Sequence, residues 1–135
     1  MEKEHIAAFI DRDGVITALN SYETGEKSNY LTKKEEIKII DYAIEGIKLL
    51  NKNGIKTIIV TNQSPIAKGL ITESQLKEIN DEIVNKLKQN EAIIDAVYYC
   101  PHHPNGIVLK YAIECECRKP KPGMILKAAG EHKIN

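Results

Sequence analysis

Ile6-Ala7-Ala8-Phe9-Ile10 is a short, unbroken apolar run, the pattern of a strand buried on both faces. It stops at Asp11-Arg12-Asp13-Gly14, and residues Asn20 to Lys34 are then polar, which predicts a loop or flap. From Asp41, Ala43, Ile44, Ile47 and Leu50 recur at helical spacing, with Asp41 as the expected cap and Gly54 as the expected stop. Ile55 to Thr61 is rich in β-branched residues and predicts a second strand, followed by a loop from Asn62 to Gly69. Thr72 and Gln75 form a capping box ahead of Leu76, Ile79, Ile83 and Leu87, a second helix. Ala96 to Tyr99 predicts a third strand, Cys100 to Lys121 is irregular, and Pro122 opens a last helix through Ile125, Leu126 and Ala129. Strand and helix thus alternate three times, the rhythm of a parallel α/β sheet. By that rhythm a further strand is expected after Asn135.

Composition narrows the function more than the fold. The chain has 135 residues, 42% hydrophobic and 28% charged, which predicts one domain over residues 1–135. A chain of that size buries about two-thirds of its unfolded surface. Basic and acidic residues balance at 19 each, without the basic excess of a dedicated nucleic-acid binder. No apolar run approaches a membrane span, and Met1 to His5 has no signal-like segment, so a cytoplasmic protein without membrane or nucleic-acid partners is expected.

Ligands of open α/β sheets gather beyond the carboxyl ends of the strands. Asp11 and Asp13 stand at the first such end, with Gly14 allowing a sharp turn. Alternation places both carboxylates on one side of the backbone and points Arg12 away. Two like charges this close call for a cation between them or a proton on one of them. One carboxylate suits a nucleophile that takes up a phosphoryl group, the other a proton shuttle. By itself Asp-x-Asp-Gly also reads as an ordinary turn. The second strand weighs against that, because it ends in Thr61-Asn62-Gln63-Ser64, whose hydroxyls and amides can donate to phosphoryl oxygens. Arg118-Lys119-Pro120-Lys121-Pro122-Gly123 adds cations on a proline-stiffened backbone ahead of a helix, suited to an anion.

The three cysteines suit a metal better than a disulfide framework. Cys100 and His102 form one close pair, Cys115 and Cys117 another, and a loop joins them, which is how tetrahedral zinc sites are built. Spacing alone leaves open whether His102 or His103 binds. A shell filled by protein is structural, and would staple a loop of low apolar content so as to hold Arg118 and Lys119 in place. His5 and His132 read as surface residues.

With these residues assembled, the chain resembles the haloacid dehalogenase-like phosphatases, within them the D-glycero-D-manno-heptose 1,7-bisphosphate phosphatase and histidinol-phosphatase group. The resemblance rests on Phe9-Ile10-Asp11-Arg12-Asp13-Gly14-Val15, Val60-Thr61-Asn62-Gln63-Ser64, Tyr98-Tyr99-Cys100-Pro101-His102-His103-Pro104 and Cys115-Glu116-Cys117-Arg118-Lys119-Pro120-Lys121-Pro122-Gly123. It implies a three-layer, Rossmann-like parallel sheet with helices on both faces and a zinc-stapled loop. It implies Asp11 as the nucleophile, Asp13 as general acid and base, both as magnesium ligands with Asp13 binding through its carbonyl, and Thr61 and Lys119 as phosphoryl-steadying groups. Arg118 is implied in substrate recognition, and Cys100, His102, Cys115 and Cys117 as the zinc ligands.

The chain departs from the family at Pro65, where glycine is common, and in a long flap between Val15 and Ile37, with Tyr22 to Asn29 resembling an insertion. Relatives also continue into a strand ending in Gly-Asp, which supplies a further magnesium carboxylate and covers the first strand. Without that strand, Ile6 to Ile10 would offer an exposed edge for self-association. The expected function is magnesium-dependent hydrolysis of a phosphorylated sugar, a heptose bisphosphate first. Histidinol phosphate is the alternative substrate, and a catalytically silent, zinc-clipped phosphate binder the alternative of another class.

Overall fold

The computed structural model of the chain describes residues 6–19 and 30–135. His5, most of the polar flap and the Tyr22–Asn29 insertion lie outside the described residues. Strand β1 spans Ala7–Ile10, β2 Lys56–Asn62 and β3 Ala96–Cys100; helix α1 spans Asp41–Lys52, α2 Glu73–Gln89 and α3 Gly123–His132. The strands form one parallel sheet in the order β1-β2-β3, with Phe9 beside Ile58 and Thr61 beside Tyr99.

Strand β2 is central because it can be buried on both faces: Thr57 to Thr61 are all buried. Its even and odd positions feed two cores. Ile59 joins Ile10 and Val97 against Ile47 of α1 and Ile79, Ile83 and Leu87 of α2. Ile58 and Val60 join Phe9, Ala96 and Tyr98 against Met124 and Ala128 of α3. The result is three layers, with two helices on one face and one on the other. Each fully buried Ile or Leu contributes about 1.5–3 kcal/mol by leaving water.

The helix ends follow local chemistry. Thr72 and Gln75 make the expected reciprocal capping box on α2. Gly54 closes α1 in the left-handed region (φ 69°), with Gly54 N–H bonded to Asn51 O at 3.0 Å and Ile55 N–H to Leu50 O at 3.0 Å. At the start of α1 the expectation needs correction. Asp41 is the first helical residue and Ile40, in an extended conformation, is the cap without a side-chain bond. The chain enters from a short ladder along the turn after β1, where Ile40 N–H reaches Ile16 O at 2.8 Å, and this fixes the helix start one residue earlier. Asp41 still places its charge in the first turn, where the helix dipole favours it.

Candidate active site and metal cluster

The chain leaves β1 at Asp11 and folds back at once. Arg12 O accepts the N–H groups of Val15 at 3.3 Å, Ile16 at 2.9 Å and Thr17 at 3.0 Å, while Gly14 takes a positive φ of 85°. This turn overrides strand alternation, and the expectation that Arg12 points away is corrected. Its side chain is fully buried and doubles back onto its neighbour, Nε donating to Asp13 Oδ1 at 2.8 Å and Nη2 to Oδ2 at 3.1 Å. Thr17 Oγ1 donates to Asp13 Oδ1 at 3.1 Å. Asp11 is about half exposed, with Oδ1 accepting from the Arg12 N–H at 2.8 Å.

The end of β2 closes on the same carboxylates. Buried Gln63 donates from Nε2 to Asp13 Oδ2 at 3.0 Å and to Thr61 Oγ1 at 2.9 Å, tying the two strand ends together. Asn62 grips the third segment: its Oδ1 accepts from Lys119 N–H at 2.9 Å and its Nδ2 donates to Lys119 O at 3.2 Å. The Lys119 ammonium then lies 3.1 Å from Asp11 Oδ1 and 3.0 Å from Val60 O. Asp11, Asp13, Thr61 and Lys119 therefore converge at one sheet end, as the sequence predicts. Asn62 and Gln63, expected to touch substrate, here turn their amides inward and hold the other groups.

Ser64, which is buried, and Arg118 find their partners away from these carboxylates. Ser64 Oγ donates to the Tyr30 hydroxyl at 3.5 Å, and Lys68 Nζ donates to the same oxygen. The Lys68 hydrogen bond holds the Tyr30 pKa below its ordinary value. Arg118 Nη1 donates to His102 O at 3.2 Å, so its guanidinium is anchored to the cysteine-rich loop.

In that loop, ligand atoms of Cys100, His102, Cys115 and Cys117 lie within 4.8 Å of one another, a group that could hold a metal. Cys117 Sγ is 2.8 Å from Cys100 Sγ and 3.4 Å from both Cys115 Sγ and His102 Nδ1. A tetrahedral zinc with Zn–S of about 2.3 Å sets thiolates about 3.8 Å apart, so the four donors need only small shifts to fit. Burial, with the Cys117 hydrogen bond second, pushes the Cys100 thiol up; a bound cation would offset that penalty on the thiolate. His103 stands outside the cluster, its Nδ1 accepting from Asn105 N–H at 3.0 Å.

Known proteins resemble this chain in sequence and in fold. Residues 5–134 match the family model described as polynucleotide kinase 3 phosphatase. The chain belongs to that family. It is 38% identical over 128 residues to the D-glycero-beta-D-manno-heptose-1,7-bisphosphate 7-phosphatase of Escherichia coli K12, covering 95% of this chain and 63% of the relative. The structure superposes on D,D-heptose 1,7-bisphosphate phosphatase from B. bronchiseptica complexed with magnesium and phosphate, with a TM-score of 0.77 and 27% identity over 96% of this chain and 64% of that one. A structure from Mesorhizobium loti assigned to the HAD-like phosphatases gives a TM-score of 0.85 at 30% identity, over 96% of this chain and 59% of that one. The chain thus spans about 63% of the length of the curated relatives it matches, and its fold is haloacid dehalogenase-like.

Within this family fold, two groups of residues escaped the sequence reading. Arg12 and its partner Asn80, whose Oδ1 accepts from Nη1 at 2.8 Å, are joined across 68 residues, and no local spacing signals such a pair. Glu73, at the head of α2, accepts from Tyr99 Oη at 2.6 Å and from Tyr111 Oη at 2.7 Å, fastening the cysteine-rich loop to β3 and α2. The Tyr99 hydrogen bond is the first cause lowering the Glu73 pKa, while burial and then Glu73 push Tyr99 up to about 12. Glu73 ahead of the helical run was the available signal, but it also reads as a dipole-favoured first-turn acid.

Proposed function

We propose that the chain carries the larger part of the active site of a magnesium-dependent phosphomonoesterase acting on a phosphorylated sugar, a heptose bisphosphate first. The observation that carries this reading is the convergence of Asp11, Asp13, Thr61 and Lys119, with Lys119 Nζ 3.1 Å from Asp11 Oδ1. In this reading Asp11, open to solvent, attacks phosphorus and forms an aspartyl-phosphate. Asp13 gives a proton to the departing sugar oxygen, then takes one from the water that frees the phosphate. Lys119 offsets charge on the nucleophile and the transferring group, and Thr61 donates to a phosphoryl oxygen. Ser64 and Arg118 meet the remainder of the substrate.

The oxygen donors present suit a hard cation. Asp11 Oδ2 and the Asp13 main-chain oxygen accept no hydrogen bond among the described residues, and these are the atoms that would hold magnesium. When bound, magnesium would supply charge neutralisation at the phosphoryl oxygens. Cys100, His102, Cys115 and Cys117 would hold zinc as a structural clip, in keeping with a cytoplasmic setting that leaves thiols reduced.

The test is phosphate release from heptose 1,7-bisphosphate and from histidinol phosphate, with and without magnesium. Magnesium-dependent release, faster from the heptose, is expected. Faster release from histidinol phosphate would reassign the substrate, and no release from either would leave a phosphate binder.

A further inference from the structure

Among the described residues Arg12 is the largest side chain that is completely buried. Withdrawing a guanidinium from water carries a penalty of several kcal/mol, so its partners must be well placed. It has two. The Nε and Nη2 edge forks onto both Asp13 oxygens, at 2.8 and 3.1 Å. The remaining nitrogen, Nη1, donates at 2.8 Å to Oδ1 of Asn80, itself buried in the middle of α2. The Asp13 carboxylate thus receives four donors: two from Arg12, one from Thr17 and one from Gln63. A carboxylate met by a planar fork is fixed in orientation. The adjacent acid is treated differently, since Asp11 is half exposed and Arg12 reaches it only through a backbone N–H.

We infer that Arg12, braced from behind by Asn80, is a positioning residue that sets the orientation of the Asp13 carboxylate and so couples α2 to proton transfer. This rests on the phosphatase reading above, in which Asp13 handles the proton. Arg12 need not touch substrate. Its loss should therefore lower kcat and leave KM nearly unchanged, since a misplacement of about 1 Å can remove about 100-fold in rate.

Three variants of the chain test this. Arg12→Lys keeps the charge and loses the fork; it should reduce kcat by about 10- to 100-fold with KM within about 3-fold. Asn80→Ala leaves the fork but removes its brace, and should reduce kcat by about 5-fold, the worth of one hydrogen bond. Should Arg12→Lys fail to fold, Asn80→Ala carries the test. The third readout needs no turnover: the Arg12 Nε–H resonance should exchange slowly with solvent and should shift or vanish in Asp13→Asn. Wild-type kcat in both Arg12→Lys and Asn80→Ala, or a raised KM with unchanged kcat, would overturn the inference. So would an Arg12 Nε–H that exchanges like an exposed arginine and ignores Asp13→Asn. A wild-type chain that releases no phosphate contradicts the phosphatase reading instead, and the resonance then decides the ion pair by itself.

Discussion

Asn62 shows how much one side chain can organise. Its amide holds both the N–H and the carbonyl of Lys119, at 2.9 and 3.2 Å, and thereby aims an ammonium borne on a distant loop at Asp11. Asn62→Ala should free that backbone and lower kcat by about 10- to 100-fold in a steady-state assay, with folding intact by circular dichroism. The tyrosines give a test independent of activity. Burial first, then Glu131 for Tyr98 and Glu73 for Tyr99, push both phenols up to about 12. A folded pKa above the unfolded value of about 10 contributes stability that is full below pH 10 and lost as pH rises through about 12. In an ultraviolet titration of the 6 tyrosines, a late step near pH 12 should shrink in Tyr98→Phe plus Tyr99→Phe. A single step near pH 10 in the folded protein would contradict these assignments.

Among the elements, those with a strong pattern were legible before the structure. The capping box of α2 and its Leu76, Ile79, Ile83 and Leu87 stripe appear as the spacing predicts, because one buried face dictates both. Thr72→Ala should lower stability by about 1 kcal/mol in denaturant melts. What pattern did not reveal lies at the junctions. Asp41 does not cap α1 because an approaching ladder fixes the chain first, and Arg12 turns inward because three N–H groups converge on its carbonyl. The start of α3 is another junction of this kind. A Cβ on Gly123 would sit 2.3 Å from Glu116 O, where the metal-cluster loop crosses the helix. Gly123→Ala should therefore lower stability by about 1–3 kcal/mol and loosen the cluster's hold on metal, read by thermal melts and metal content. Unchanged melting and metal content would contradict that packing.

At the scale of the molecule, a sheet with two well-packed faces carries a cysteine-rich loop that contributes Cys115 and Cys117 to one core and Lys119 to the site. The convergence of site residues was readable because the ends of parallel strands share one edge, whereas the links that aim them, Gln63 to Asp13 and Arg12 to Asn80, depend on three-dimensional proximity alone. If Cys100, His102, Cys115 and Cys117 hold zinc as proposed, a chelator should abolish amide-exchange protection across residues 100–121 while β2 and α2 stay protected; unchanged loop protection would refute the clip. In the described helices no segment is long and apolar enough to cross a membrane.

The central claim is that Asp11 takes up the phosphoryl group. Substrate labelled with radioactive phosphorus, mixed with the chain and magnesium and quenched in acid, gives the most direct measurement. The account predicts an acid-stable label on the peptide containing Asp11, absent in Asp11→Asn, which should also release no phosphate. Label on another residue, or phosphate release by Asp11→Asn at the wild-type rate, would contradict it.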